Sequence, residues 1–208
     1  KNPDVLVHCD CVQGFGKILF SLNRIKADMV TMSSHKIHGP KGSGAIYVRE
    51  GVNVRPLCFG GSQESKVRPG TENVPGIAAF GHASLKALRD IRENWEHVKE
   101  LNLYLTDCLR QMEDVVINSP SGAVPYVLNI SVLPFATEEL LHEMRMRGIY
   151  LSGSSACEKG ARSHVIRAMG IEGPRADSVV RIGLGKKNTR EEVTVLVETL
   201  NELIKRGK

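Results

Sequence analysis

The sequence predicts an α/β protein in two parts, and three observations carry the prediction. Short β-branched runs, "DVLVHCD" and "ADMVTMSS", end in polar residues and are followed by turn formers. A long stretch with helical spacing follows, from residue 71 to residue 113. Beyond it, strand-like and helix-like segments alternate to the C-terminus.

In chain order, residues 4–10 read as a buried parallel strand ending at Asp10, and residues 27–34 repeat the pattern. "GAIYVRE" (44–50) reads as a third strand after the Gly/Pro turn "HGPKGSG". Residues 51–71 are loop-like. A helix is expected to open with Thr71 as N-cap and Pro75 in its first turn. Residues 95–113 continue as a helix with Val98, Leu101, Leu105 and Leu109 on one face. The remainder reads as strand, strand, helix, short strand, helix, strand, helix, with Thr189 as the last N-cap and Gly207 past the end. The boundary between the parts is placed near residue 92, giving domains 1–92 and 93–208.

Of the 208 residues, 41% are hydrophobic and 25% charged, as in ordinary globular proteins. No apolar run approaches the roughly 18 residues that span a bilayer, and no secretory leader is visible. The net charge of +5 is scattered and only 5% of residues are aromatic, which argues against direct nucleic-acid binding. The five cysteines are odd in number and lack disulfide-like spacing, which predicts a reducing, cytoplasmic setting. The chain starts without Met and almost directly in a strand-like run, the start expected of a fragment or processed chain.

Chemistry concentrates in a few stretches. In "TMSSHKIHGPKGSGAIYV", Lys36 lies between two histidines just past a strand, where α/β proteins place ligands. A lysine held unprotonated there forms Schiff bases with carbonyls, while Ser33 and His35 suit a phosphate oxygen. Taken alone, Lys36 reads first as a surface lysine on a hairpin. A P-loop is excluded, because Ala45 and Ile46 stand where Lys and Ser/Thr are required. Asp10 at a strand end fits either a helix N-cap or a carboxylate facing a pyridine nitrogen, with Gln13 one turn on. Cys9 and Cys11 share a strand face but have no second pair for zinc and read as small buried residues. Cys157, in "LSGSSACEKGARSH", is an ordinary loop cysteine or a nucleophilic thiolate near Lys159 and Arg162. Arg181, expected on a buried strand, needs a structural or a ligand carboxylate. His38, His82, His97 and His142 have no spaced partners and read as surface or helix residues.

Five stretches in series, "HCDCVQGFGK", "MSSHKIHGPKGSGAIYV", "GGSQESKVRPGTENV", "SGSSAC" and "RIGLG", resemble the cysteine desulfurases. These are the NifS/IscS-like, fold-type I pyridoxal-phosphate enzymes of aminotransferase class V. The resemblance runs from about residue 5 to 200. It implies the end of a large cofactor-binding domain followed by a small C-terminal α/β domain. It also implies that Lys36 carries pyridoxal 5'-phosphate, that Asp10 pairs with the ring nitrogen, and that Gln13 hydrogen-bonds the ring hydroxyl. Ser33 and His35 would bind the phosphate, Thr71 the phosphate of a partner subunit in a homodimer, and Arg181 the substrate carboxylate. Cys157 would take sulfur from L-cysteine and pass it to an acceptor protein for iron–sulfur or tRNA thiolation chemistry. In the family about half the catalytic domain precedes the Asp-bearing strand, including a ring-stacking histidine and a phosphate loop, and the segment after Cys157 is slightly short for the long-loop members. A selenocysteine lyase, a class V aminotransferase and a non-catalytic dimerisation fragment are the competing readings.

Overall fold

The computed structural model of the chain describes residues 5–153 and 163–206. The chain divides into two compact units, Lys1–Glu93 and Asn94–Lys208, and is mixed α/β throughout.

The first unit holds strand β1 (His8–Asp10), the short helix α1 (Leu22–Ile25), β2 (Met29–Ser33), β3 (Gly44–Val48) and the helix α2 (Val74–Arg89). Its sheet has the order β1-β2-β3, with β1 parallel and β3 antiparallel to β2. The register sets Asp10 beside Thr31, so the carboxyl ends of β1 and β2 are neighbours. Val30, at the middle of the central strand, is fully buried. Asp28 ties the sheet together at its other end. Its buried carboxylate accepts from the Val7 amide at 2.6 Å and pairs with Arg49, while its own amide donates to the Val7 carbonyl at 2.8 Å.

Two expectations for this unit are corrected. The first strand is shorter than residues 4–10 and is not buried, since Val5, Leu6 and Val7 are 58%, 55% and 46% exposed. Among the described residues β1 is paired on one side only, so the double-sided cover of an inner parallel strand is missing. The cap of α2 is Asn73 rather than Thr71: its Oδ1 accepts from the Gly76 amide at 3.1 Å, with Pro75 in the first turn. The polar character of "TENVP" marked a helix start, but reach selected the asparagine directly before Val74.

The second unit contains most of α3 (Ile91–Leu109), then β4 (Val115–Ile117), β5 (Val127–Val132), α4 (Thr137–Met146), α5 (His164–Ala168), α6 (Gly173–Asp177), β6 (Val179–Gly183) and α7 (Arg190–Arg206). Its antiparallel sheet has the order β4-β5-β6. Alternation along β5 and β6 sends Leu128, Ile130, Val132, Val180 and Ile182 to one face. There they meet Leu101, Leu105 and Leu109 of α3, Leu140 and Met144 of α4, and Val193, Leu196 and Leu200 of α7 in one continuous core. The apolar face expected on α3 is therefore buried as expected, although the helix starts and stops four residues earlier. α7 begins with a capping box: the Glu192 amide donates to Thr189 Oγ1 at 3.2 Å and the Thr189 amide to Glu192 Oε2 at 3.1 Å. Gly207 lies outside the described residues. The short α6, with Pro174 in its first turn, was not anticipated; five residues give too little periodicity to read.

Candidate active site

The site in the first unit is built where β1 and β2 end side by side. Asp10 closes β1 with an exposed carboxylate, and Oδ1 accepts from the Val12 amide at 2.9 Å. That contact orients the group and leaves Oδ2 for a second donor. Beyond Asp10 the chain turns: the Gly14 and Phe15 amides donate to the Cys11 carbonyl, and the Lys17 and Ile18 amides to the Gly14 carbonyl. This helical winding sets Lys17 over Gln13, and Lys17 Nζ donates to Gln13 Oε1 at 3.1 Å. An ammonium can only donate, so it takes the amide oxygen and leaves Gln13 Nε2 to donate elsewhere.

β2 ends at Ser33 and runs directly into a 3₁₀ turn, Ser34–Ile37, that carries His35 and Lys36. The turn is locked from both sides. His38 adopts a left-handed conformation (φ 68°) and its amide returns to the Ser34 carbonyl, as does the Gly39 amide at 3.0 Å. Glycine is required at 39, because a β-carbon there would collide with Ser34 Oγ. Ile37 packs inward against Phe80 and Ala87 of α2, which turns the half-buried Lys36 away from that cluster. Ser33 Oγ and His35 Nδ1 lie 2.8 Å apart, pre-paired into one polar group beside the lysine. Burial, followed by the charge of Lys36, lowers the Lys17 ammonium from its ordinary value, so the two lysines share one field.

Thr71 lies exposed on the loop before α2, outside this group of contacts. Arg181 belongs to the second unit. It is half-buried rather than buried, and its backbone forms a bridge with Ser152: Arg181 N to Ser152 O at 2.6 Å and Ser152 N to Arg181 O at 3.2 Å. Among the described residues no acidic side chain pairs with Arg181. Cys157 lies outside the described residues.

The strand register discloses a feature that sequence reasoning missed. Asn129 stands opposite Arg181, on the sheet face turned from the main core. On that face Asn118 Nδ2 donates to Asn129 Oδ1 at 2.8 Å and Ser131 Oγ at 2.9 Å, while Arg175 Nε donates to Asn118 Oδ1 at 2.8 Å. Ser131 Oγ in turn donates to the Arg175 carbonyl at 2.7 Å. The only available signal was polar residues alternating with apolar ones in "VLNISV". His97 lies on α3, one of the two places expected of it, and its Nε2 donates to the Asn188 carbonyl at 2.9 Å.

Residues 1–196 match the family described as aminotransferase class V. The chain belongs to that family. It is 36% identical over 211 residues to a mitosomal cysteine desulfurase of Encephalitozoon cuniculi, covering 99% of this chain and 48% of the relative. It is 37% identical to a mitochondrial cysteine desulfurase of Saccharomyces cerevisiae, again over 99% of this chain and 42% of the relative. A solved structure of a NifS-like protein superposes with a TM-score of 0.90 at 37% identity, over 99% of this chain and 54% of that one. The chain thus spans about half the length of the curated relatives it matches. The family expected from the five motifs is the family found.

Proposed function

We propose that the chain is the portion of a pyridoxal-phosphate-dependent cysteine desulfurase that spans the end of the large domain and the small domain. Its first unit would hold the cofactor, and its second the substrate carboxylate and the sulfur-accepting cysteine. The observation that carries the reading is the joining of Asp10, Gln13, Ser33, His35 and Lys36 at two adjacent strand ends. The donor set suits this cofactor. Asp10 offers a free carboxylate oxygen to a ring N–H, Gln13 Nε2 is left to donate to a ring hydroxyl, Ser33 and His35 offer donors to a phosphate, and Lys36 offers an amine to a carbonyl.

Bound pyridoxal phosphate supplies an electron sink that accepts charge from the substrate Cα. The residues do the rest. The negative charge of Asp10 keeps the ring nitrogen protonated, and Lys36 moves the Cα proton as base and then acid. Arg181, without an acidic partner among the described residues, holds the substrate carboxylate by its fork of N–H donors. The Cys157 thiolate takes the substrate sulfur, so that L-cysteine and the Cys157 thiol give L-alanine and a Cys157 persulfide. The persulfide passes to an acceptor protein, and Thr71 serves the phosphate across a homodimer.

The test is an absorbance titration with pyridoxal phosphate, then borohydride reduction and peptide mapping. The expected result is a visible band and a reduced adduct on Lys36, with sulfide released from cysteine in the presence of a thiol and lost in Cys157→Ser. Label spread over surface lysines, with no sulfide, would make the chain a binding or dimerisation piece and overturn the assignment of activity to it. Alanine-forming transamination that survives Cys157→Ser would point to an aminotransferase instead.

A further inference from the structure

One pair of nucleophilic side chains is not used by the proposed reaction. Cys9 Sγ of β1 and Cys11 Sγ just past the strand's end lie 3.5 Å apart and flank Asp10. Both are free thiols; Cys9 is half-buried and Cys11 is buried. We propose that they form a dithiol site that a low-molecular-weight disulfide oxidises to an intramolecular Cys9–Cys11 bond, and that closing this bond pulls Asp10 out of position.

The geometry supports both halves. Forming the bond brings the sulfurs from 3.5 Å to about 2.05 Å, a movement within reach of side-chain rotation and a small backbone adjustment. Two residues of extended strand span about 6.6 Å, close to the upper limit of Cα separation that a disulfide tolerates. Most disulfides hold their Cα atoms nearer, about 5.5–6 Å apart, so closing the bond favours a shorter backbone, and the only residue between the two cysteines is Asp10. It lies where the chain can yield. Cys11 makes the last ladder contact, its amide donating to the Thr31 carbonyl at 3.0 Å, and its carbonyl already accepts the turn amides of Gly14 and Phe15. β1 is also an edge strand among the described residues, held by β2 alone. The Val12 amide contact that orients Asp10 lies within the same stretch.

The chemistry balances. The Cys9 thiolate, the more accessible of the two, attacks the small disulfide, whose S–S bond breaks. A mixed disulfide forms on Cys9 and one small thiol leaves with a proton. Cys11 then loses its proton to solvent, its sulfur attacks the Cys9 sulfur, and the second small thiol leaves. The two cysteines give up two electrons and the oxidant gains them. Burial, and then the neighbouring Cys9, push the Cys11 thiol up to about 11, which makes the second step slow at neutral pH.

The loss of Asp10 as a ring partner rests on the proposed function, whereas the disulfide itself does not, and the experiment separates them. The full chain is incubated with oxidised glutathione and mapped by non-reducing peptide mass spectrometry. The expected product is the 9–11 peptide lacking two hydrogens, restored by dithiothreitol, with Cys58 and Cys108 still open to alkylation or carrying glutathione singly. A stable glutathione adduct on Cys9 with Cys11 still alkylatable would overturn the proposal. Pyridoxal phosphate is then titrated into reduced and oxidised chain. The expected change is a weakening of about tenfold or more, the measure of one charged hydrogen bond lost, absent in the Cys9→Ser/Cys11→Ser double variant. Unchanged affinity with the disulfide formed would sink the link to Asp10. Absence of cofactor binding by the reduced chain would instead refute the proposed function for this chain and leave the disulfide result standing.

Discussion

Ser34 opens the turn that carries Lys36, and its hydroxyl is fully buried without a hydrogen-bond partner among the described residues. A buried hydroxyl that makes no bond costs about 1–3 kcal/mol relative to a group that needs none. Ser34→Ala is therefore expected to raise stability, read as a higher urea midpoint at unchanged slope. A lower midpoint would mean that the hydroxyl has a partner in solution. A second residue-scale prediction concerns pH. The raised thiol of Cys11 means that the folded chain binds this proton more tightly than the unfolded chain, where the thiol titrates near 9.0. The contribution to stability is thus whole below pH 9 and is lost as pH rises towards about 11. Cys9 and Asp10 of the adjoining β1 act on Cys11 in the same direction, and Tyr47 of β3 is the titratable group in the cluster packed against it. Alkylation of Cys11 by a neutral reagent should accelerate about tenfold per pH unit across this range, since only the thiolate reacts. A flat profile would refute the assignment.

At the scale of elements, Asp28 holds the three strands of the first sheet to one another. Asp28→Ala removes the acceptor of the Val7 amide and the partner of Arg49 together. Because Arg49 is mostly exposed, the cost comes chiefly from the unmet amide and should be about 1–3 kcal/mol. Hydrogen exchange should show faster exchange confined to the strands around residues 5–10 and 44–49, with the second unit unaffected. The Asn118 network works similarly in the second sheet. Asn118→Leu strips partners from Asn129, Ser131 and Arg175 at once, and a loss of about 1–3 kcal/mol is expected from the groups left unsatisfied. Chemical denaturation followed by Trp95, the chain's one tryptophan, reads this loss, because Trp95 packs edge-on against Tyr126 in the same unit.

At the scale of the whole molecule, the two units are unequally built. The second has a large continuous apolar cluster from Leu101 to Ile204, with a small separate one around Ile166. In the first, burial is divided between a small group around Val30 and another around Phe80, while Leu57 and Phe59 stand 98% and 89% exposed. Unfolding is expected in two steps, with the first unit opening at lower urea by hydrogen exchange and the Trp95 transition following. Leu105→Ala should move only the later step, by about 2–5 kcal/mol, as for a fully buried leucine. Coincident transitions for both units would refute this picture.

Much of this was legible in the one-dimensional pattern. The period of Val98, Leu101, Leu105 and Leu109 determined the buried face of α3, Thr189 marked the start of α7, and the motif series pointed to the family. Such features depend on residues a few positions apart, whose relation the local geometry already dictates. Other features depend on which segments meet, and only the tertiary structure decided them. Among the described residues β1 pairs with β2 alone, and Val5 to Val7, just before it, are exposed. The register that sets Asp10 beside Thr31 and Asn129 opposite Arg181 follows from how whole strands align. The partners of Asn118 lie 11, 13 and 57 positions away in sequence, where no local spacing reports them.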